Sequence, residues 1–113
     1  MAYLSFDDIM STTLPEEDVD VPEWNGVVKI RALTGAEMAK AKRAATRRPA
    51  GEIDEIQFNA LIVAAGCVEP SFPPASEQRL MREQAAGPVA RIASRIMDLS
   101  GFGGEEPGEP GEA

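Results

Sequence analysis

Apolar and polar residues change their spacing several times along the chain, and each change marks a predicted element. Residues 18–23 alternate polar and apolar side chains, and residues 27–33 are rich in β-branched residues. Asn25-Gly26 lies between them, and this dipeptide favours a two-residue type I′ turn, in which both residues adopt a positive φ. The pattern therefore predicts a β-hairpin with a left-handed conformation at both Asn25 and Gly26.

Two helices of opposite character are predicted after the hairpin. Thr34 and Glu37 have the spacing of a capping box, so a helix over about residues 35–48 should start directly after the second strand. The apolar residues of this helix are mostly alanines. The next predicted helix, residues 54–68, is apolar nearly all round and is expected at the centre of the fold. One of its faces is marked by Ile53, Ile56, Ala60 and Val63.

Two further patterns predict the closing helices. Ser76 has the residue type of an N-cap for a short amphipathic helix that Gly87 would close. Pro88 suits the first turn of a final helix that ends at Gly101. An apolar stripe on that helix is formed by Val89, Ile92, Ala93, Ile96 and Leu99. The predicted fold class is mainly α (α+β), with an N-terminal arm and β-hairpin followed by a small bundle of three to four helices.

The two ends of the 113-residue chain differ from its middle. Residues 1–17 are predicted to form a flexible acidic arm with at most one helical turn, capped by Ser5. Residues 18–102 are predicted to form a single small domain. Residues 103–113 contain only Gly, Glu, Pro and Ala and are expected to be disordered, because they offer nothing to bury. No apolar run approaches the roughly 20 residues that span a bilayer, so no membrane partner is expected.

Charge is strongly segregated along the chain, whose formal net charge is −8. Residues 1–26 carry seven acidic and no basic residues, whereas residues 27–50 carry seven basic residues and one acidic residue. The cationic element is therefore either screened by its acidic flanks or displayed to a partner. Net acidity and the lack of interleaved aromatic residues argue against nucleic acid as that partner.

The sequence offers no pattern that supports catalysis, a metal or a cofactor. It contains no histidine, which removes the commonest general base and the usual zinc nitrogen ligand. Adjacent carboxylates lack calcium-loop spacing and point in different directions on a helix or strand. Cys67 follows an apolar run and is interpreted as a core residue rather than a nucleophile. We therefore expect a protein that is not an enzyme and needs no cofactor.

Five residues are candidates for binding a partner. Tryptophan and arginine are enriched at interface hot spots, and three of the basic residues have the i, i+3, i+7 spacing of one helical face. The candidates are Trp24, Arg31, Lys40, Arg43 and Arg47. Trp24 also has a structural interpretation, which is favoured here: it would pack an otherwise marginal hairpin onto the helices.

The stretch from Trp24 to Glu37, together with the order of elements over about residues 18–101, resembles the tail assembly chaperones of long-tailed bacteriophages. In that family a tryptophan-glycine turn leads into a strand of the form Val-x-Val-Arg-x-Leu-Thr-x-x-Glu. The matching positions are Trp24, Gly26, Val28, Ile30, Arg31, Leu33, Thr34 and Glu37. Only this stretch, from the hairpin to the helix cap, matches the family in specific residues.

The resemblance implies a non-enzymatic protein of the host cell cytoplasm that binds the tape measure protein, a very long helical chain. It would keep this client soluble until the tail tube assembles around it, and would be absent from the mature virion. Further implied partners are copies of itself and, through an extended form, the major tail protein. The alternative is a structural virion component, such as a head-tail connector or minor tail protein, that extends a neighbour's sheet with its hairpin edge.

Overall fold

The computed structural model of the protein describes residues 2–47 and 51–102, which form an α+β fold with five α-helices and a small sheet. The elements are α1 (Phe6–Met10), β1 (Glu16–Val21), a 3₁₀ turn (Pro22–Trp24), β2 (Gly26–Arg31), α2 (Gly35–Ala45), β3 (Thr46–Arg47), β4 (Glu52–Ile53), α3 (Glu55–Gly66), β5 (Cys67–Glu69), α4 (Ser76–Glu83) and α5 (Ala86–Leu99). The predicted fold class is confirmed. The tail predicted to be disordered, residues 103–113, lies outside the described residues.

The hairpin is confirmed, but its turn differs from the prediction. β1 and β2 pair antiparallel, with Val21 opposite Gly26, so four residues connect them. Asn25 closes the 3₁₀ turn by donating its N–H to the carbonyl oxygen of Pro22 at 3.0 Å, and it is left-handed, with φ of 58°. Gly26 is the first residue of β2 and has no positive φ. The predicted type I′ turn is therefore wrong, because Pro22 starts a helical turn instead.

A third strand, β5, was not predicted. It pairs antiparallel with β2, so the sheet order is β1-β2-β5, and Cys67 lies opposite Ile30. The helix predicted over residues 54–68 ends at Gly66, where the chain turns into an extended conformation. A continuous apolar run is compatible with either a buried helix or a buried strand, so periodicity did not locate this boundary.

The start of α2 is confirmed and its end is corrected. The hydroxyl of Thr34 accepts the N–H of Glu37 at 3.2 Å, and the Glu37 carboxylate accepts the N–H of Thr34 at 2.9 Å. α2 ends at Ala45 rather than near residue 48, because β3 turns away to pair with β4. Arg47 therefore belongs to a strand and not to the helical face predicted for it.

The core lies where the sheet meets α3 and α5, and α3 packs against α2, α4 and α5. The largest fully buried side chains are those of Ile30, Ile62, Ile92, Ile96, Val21 and Val63. The predicted stripe of α5 is confirmed from Val89 to Ile96, and Leu99 is partly buried against the core. No polar or charged residue is buried in the described ranges.

Three predictions are corrected around α3 and α4. Ile53 and Ile56, expected on a core face, are 40% and 56% exposed. Ser76 is the first residue of α4 rather than its cap, which is the left-handed Ala75. α4 ends at Glu83, and Gly87 lies within the first turn of α5.

Two bidentate ion pairs attach the hairpin to α5. Arg95 donates to both carboxylate oxygens of Glu17 at 3.0 and 2.7 Å, and Arg91 donates to those of Glu23 at 2.9 and 2.7 Å. The hydrogen bonds from Arg91 lower the pKa of Glu23 to about 2. Part of the acidic N-terminal flank is thus neutralised by α5 and not by the cationic segment of residues 27–50.

Candidate functional site

Trp24 occupies the position that its structural interpretation predicts. Its side chain is half-buried at the end of the 3₁₀ turn and packs against the hydrophobic core. Together with Phe72, Leu80 and Gln84 it lines a shallow apolar patch. Since part of the indole stays accessible, packing and partner contact are compatible at this position.

The guanidinium group of Arg31 forms hydrogen bonds within the protein. Its two terminal nitrogens donate to the Glu37 carboxylate at 2.9 and 2.6 Å, and also to the carbonyl oxygens of Ala32 at 2.9 Å and Ala65 at 3.1 Å. These bonds use four of the five N–H donors of a guanidinium group and join β2, α2 and α3. The two hydrogen bonds from Arg31 to the carboxylate also lower the pKa of Glu37 to about 2. Arg31 and Glu37, which both belong to the stretch that resembles the family, therefore form an ion pair that helps to connect these three elements.

The three basic candidates after Arg31 do not form the predicted stripe. Lys40 and Arg43 are exposed on α2, as is Lys42. Arg47 lies in β3 and donates to Asp54 at 2.9 Å, which raises the pKa of Arg47 and lowers that of Asp54. Among ion pairs between described residues, none includes the three basic residues of α2. Among the described residues, the basic side chains without an ion pair are thus those of α2.

An apolar groove, called the α4 groove, lies between α3, α4 and α5. Its volume is about 220 Å³. Most of its apolar lining comes from Ile56, Ala60, Leu80, Met81, Val89 and Ala90. The side chains of Ile56 and Met81 are 56% and 38% exposed at its rim. A groove of this kind accepts the apolar face of an amphipathic helix.

A second groove, called the α2 groove, lies between α2, α3 and the loop before α4. Its volume is about 480 Å³. Its lining includes Lys40, Ala44, Leu61, Ala65, Phe72 and Pro73. Phe72 also lines the Trp24 patch, and Leu80 lines both that patch and the α4 groove. The two grooves are therefore linked by one apolar surface that passes around α4.

Sequence reasoning missed the exposed apolar residues that define the α4 groove. Ile56 is predicted on a core face, but 56% of its side chain is exposed. The available signal was the apolar character of α3 around nearly its whole circumference. Such a helix carries more apolar surface than its neighbours cover, so some of it must face either solvent or a partner.

The described residues hold little reactive chemistry. Cys67 is 8% exposed, and burial raises the pKa of its thiol to about 11, which disfavours the reactive thiolate. No three of the Cys, Asp and Glu side chains within residues 2–47 and 51–102 are arranged to hold a metal ion. In the same residues, no helix has the length and apolar character needed to cross a membrane.

Comparisons of the chain with protein-family models, with curated proteins and with solved structures find no match. The observations that bear on function are therefore the stretch from Trp24 to Glu37 and the apolar surface around α4.

Proposed function

We propose that the protein is a tail assembly chaperone of a long-tailed bacteriophage, which binds the tape measure protein and keeps it soluble until the tail tube assembles. The observation that carries the proposal is the resemblance of the Trp24-to-Glu37 stretch to that family. The contacts of this stretch support it, because Trp24 anchors the hairpin and Arg31 with Glu37 joins three elements. Through these contacts, the stretch from Trp24 to Glu37 stabilises the fold that contains the two grooves.

The α4 groove suits a helical client. An amphipathic helix presents large apolar side chains at i, i+3, i+4 and i+7, and the groove offers an apolar lining with Ile56 and Met81 at the rim. Methionine has an unbranched, adaptable side chain, so Met81 can accommodate several different client segments. Weak contacts repeated by many copies along one long client add up through multivalency. The net charge of −8 keeps such a coated complex in solution.

Co-expression with the tape measure protein tests the proposal. The wild-type chaperone should move the client from the insoluble to the soluble fraction. A double variant, Ile56→Ser with Met81→Ser, should reduce soluble client to the level found without chaperone. Val27→Ser is the matched control, because Val27 is a 60% exposed apolar residue on the hairpin, away from the groove. A client that stays insoluble with the wild-type protein contradicts the proposal.

Mass spectrometry of purified phage particles separates the chaperone from the alternative function. A chaperone is released during assembly and should be absent from finished particles. A head-tail connector or minor tail protein should be present at a fixed ratio to the major tail protein. The exposed acids of the edge strand, Glu16, Asp18 and Asp20, disfavour strand addition at that edge, since charged edges resist pairing.

A further inference from the structure

The N-terminal arm presents apolar side chains to solvent. Every residue from 2 to 16 is exposed. The exposed fractions of Tyr3, Leu4 and Phe6 are 95%, 72% and 75%, and those of Ile9 and Met10 are 53% and 65%. Apolar surface in water costs about 25 cal/mol per Å² relative to burial. A cluster of large apolar residues of this kind marks an interaction site.

The arm contains a capped helical turn and is joined to the sheet at its C-terminal end. Ser5 and Asp8 form a reciprocal capping box at the start of α1, with distances of 2.9 and 3.0 Å. At the other end, the carbonyl oxygen of Pro15 accepts the N–H of Ala32 at 2.9 Å. Since the local shape is already set, less conformational entropy is lost when the arm binds.

The α2 groove offers this arm an apolar lining with Lys40 at its rim. Alanine side chains such as Ala44 and Ala65 leave room in it for a large ring, and Leu61 and Phe72 supply apolar contacts. Its α2 rim carries Lys40, and Lys42 and Arg43 are exposed on the same helix. The opposite rim carries Glu77 in the first turn of α4. The α2 rim also carries Glu37, whose carboxylate is bound by Arg31, so the charge left without an ion pair on that rim, among the described residues, is that of Lys40.

The arm carries charge opposite to that of Lys40. Residues 2–15 contain Asp7 and Asp8 and no basic residue. None of the ion pairs formed within the described residues joins an acid of the arm to a base of α2. Both the acidic apolar element and its basic apolar counterpart are thus present, uncovered, on one chain. Complementarity of this kind steers association and sets orientation.

We propose that residues 3–10 of one copy dock in the α2 groove of a second copy, and that reciprocal exchange of the two arms makes the protein a dimer. Tyr3, Leu4 and Phe6 enter the groove, and Asp7 and Asp8 face the basic residues of α2. A two-fold axis lets each copy supply one arm and one groove, so the interface closes on itself. Dimerisation leaves the α4 groove open for a client and is independent of whether that client is the tape measure protein.

Sedimentation velocity of the full-length protein tests the exchange. The wild-type protein should be a dimer, and the triple variant Tyr3→Ser, Leu4→Ser, Phe6→Ser should be a monomer with an unchanged circular dichroism spectrum. Ala44→Trp fills the groove and should also give a monomer. Ala39→Trp is its matched control on an exposed position of α2 that does not line the groove, and it should remain a dimer. A wild-type protein that is monomeric at all concentrations overturns the proposal.

Cross-linking shows whether the docked arm comes from a second copy. An Ala2→Cys protein mixed with an Ala44→Cys protein and a short bismaleimide should give a covalent heterodimer. Replacing Ala44→Cys by Ala39→Cys should give at most a trace of this product. A double variant, Ala2→Cys with Ala44→Cys, that cross-links only within its own chain shows that the arm folds back on its own groove, which overturns the exchange.

Discussion

At the scale of single residues, the hairpin turn has only one of the two left-handed residues that a type I′ turn requires. Asn25 has the left-handed backbone, while Gly26 is an ordinary strand residue. Asparagine tolerates this conformation because its short polar side chain interacts locally, and a β-branched residue does not. The left-handed conformation expected at both turn residues is therefore confined to Asn25.

Asn25→Val should lower the free energy of unfolding by about 1–2 kcal/mol, because it places a β-branched residue at a positive φ. Asn25→Gly should change it little, since glycine adopts this conformation freely. Gly26→Val should be tolerated, because a Cβ at Gly26 would meet only the carbonyl oxygen of Trp24, at 4.0 Å. Urea unfolding of the three variants checks the order. A Gly26→Val protein less stable than Asn25→Val would contradict it.

At the scale of elements, α3 and α5 approach closely through a glycine at the end of α3. A Cβ added at Gly66 would lie 2.6 Å from Cδ1, 3.0 Å from Cγ2 and 3.1 Å from Cγ1 of Ile96. Ile96 is fully buried and β-branched, so its side chain has little freedom to move away. The close packing of this helix pair therefore depends on the absence of a side chain at residue 66.

Gly66→Ala should destabilise the protein by about 1–3 kcal/mol through overpacking, despite the better helix propensity of alanine. Adding Ile96→Val removes the nearest methyl group and should recover part of this loss, which a double-mutant cycle measures. Gly35→Ala is the matched control at the first residue of α2: its added Cβ would meet nothing within 4 Å, so it should not destabilise the protein. Equal effects at the two glycines would disprove the packing argument.

At the scale of the whole molecule, arginine-carboxylate pairs connect elements that are distant in sequence. Glu37 binds Arg31 between α2 and β2, and Glu23 binds Arg91 between the 3₁₀ turn and α5. Both glutamates have a pKa lowered from 4.5 to about 2, mainly by hydrogen bonds from these arginines. The pair at Glu37 is the less exposed, so solvent and salt weaken it less.

The stability that these pairs contribute should be present above pH 4.5 and lost as the pH falls towards 2, because the folded state then binds protons that the unfolded state already holds. Glu37→Gln should therefore be less stable than the wild type at pH 7, and the difference should shrink towards pH 2. Urea unfolding at several pH values measures it. Glu77→Gln is the control, since Glu77 has no ion pair within the described part of the chain. A Glu37→Gln deficit that does not change with pH would contradict this origin.

The candidate site was predictable only in part. The position of Trp24 at the hairpin followed from the sequence because the strands beside it have a clear alternating pattern. The hydrogen bonds of Arg31 did not follow from the sequence, since its partners Glu37 and Ala65 come from two different helices. Lys40, Arg43 and Arg47 were predicted on one helical face. This prediction is wrong for Arg47, because α2 ends before it and Arg47 pairs in β3 with β4.

The sequence by itself determined the features that depend on residues within one helical turn of each other. Three features are of this kind: the capping box of Thr34 and Glu37, the apolar stripe of α5 and the end of that helix at Gly101. At Gly101 φ is 90°, and the N–H of Phe102 donates to the carbonyl oxygen of Met97 at 2.8 Å. The tertiary structure decided where α3 gives way to β5, which arginines are paired and which apolar residues stay exposed. These outcomes depend on contacts between residues far apart in the chain, which no local pattern specifies.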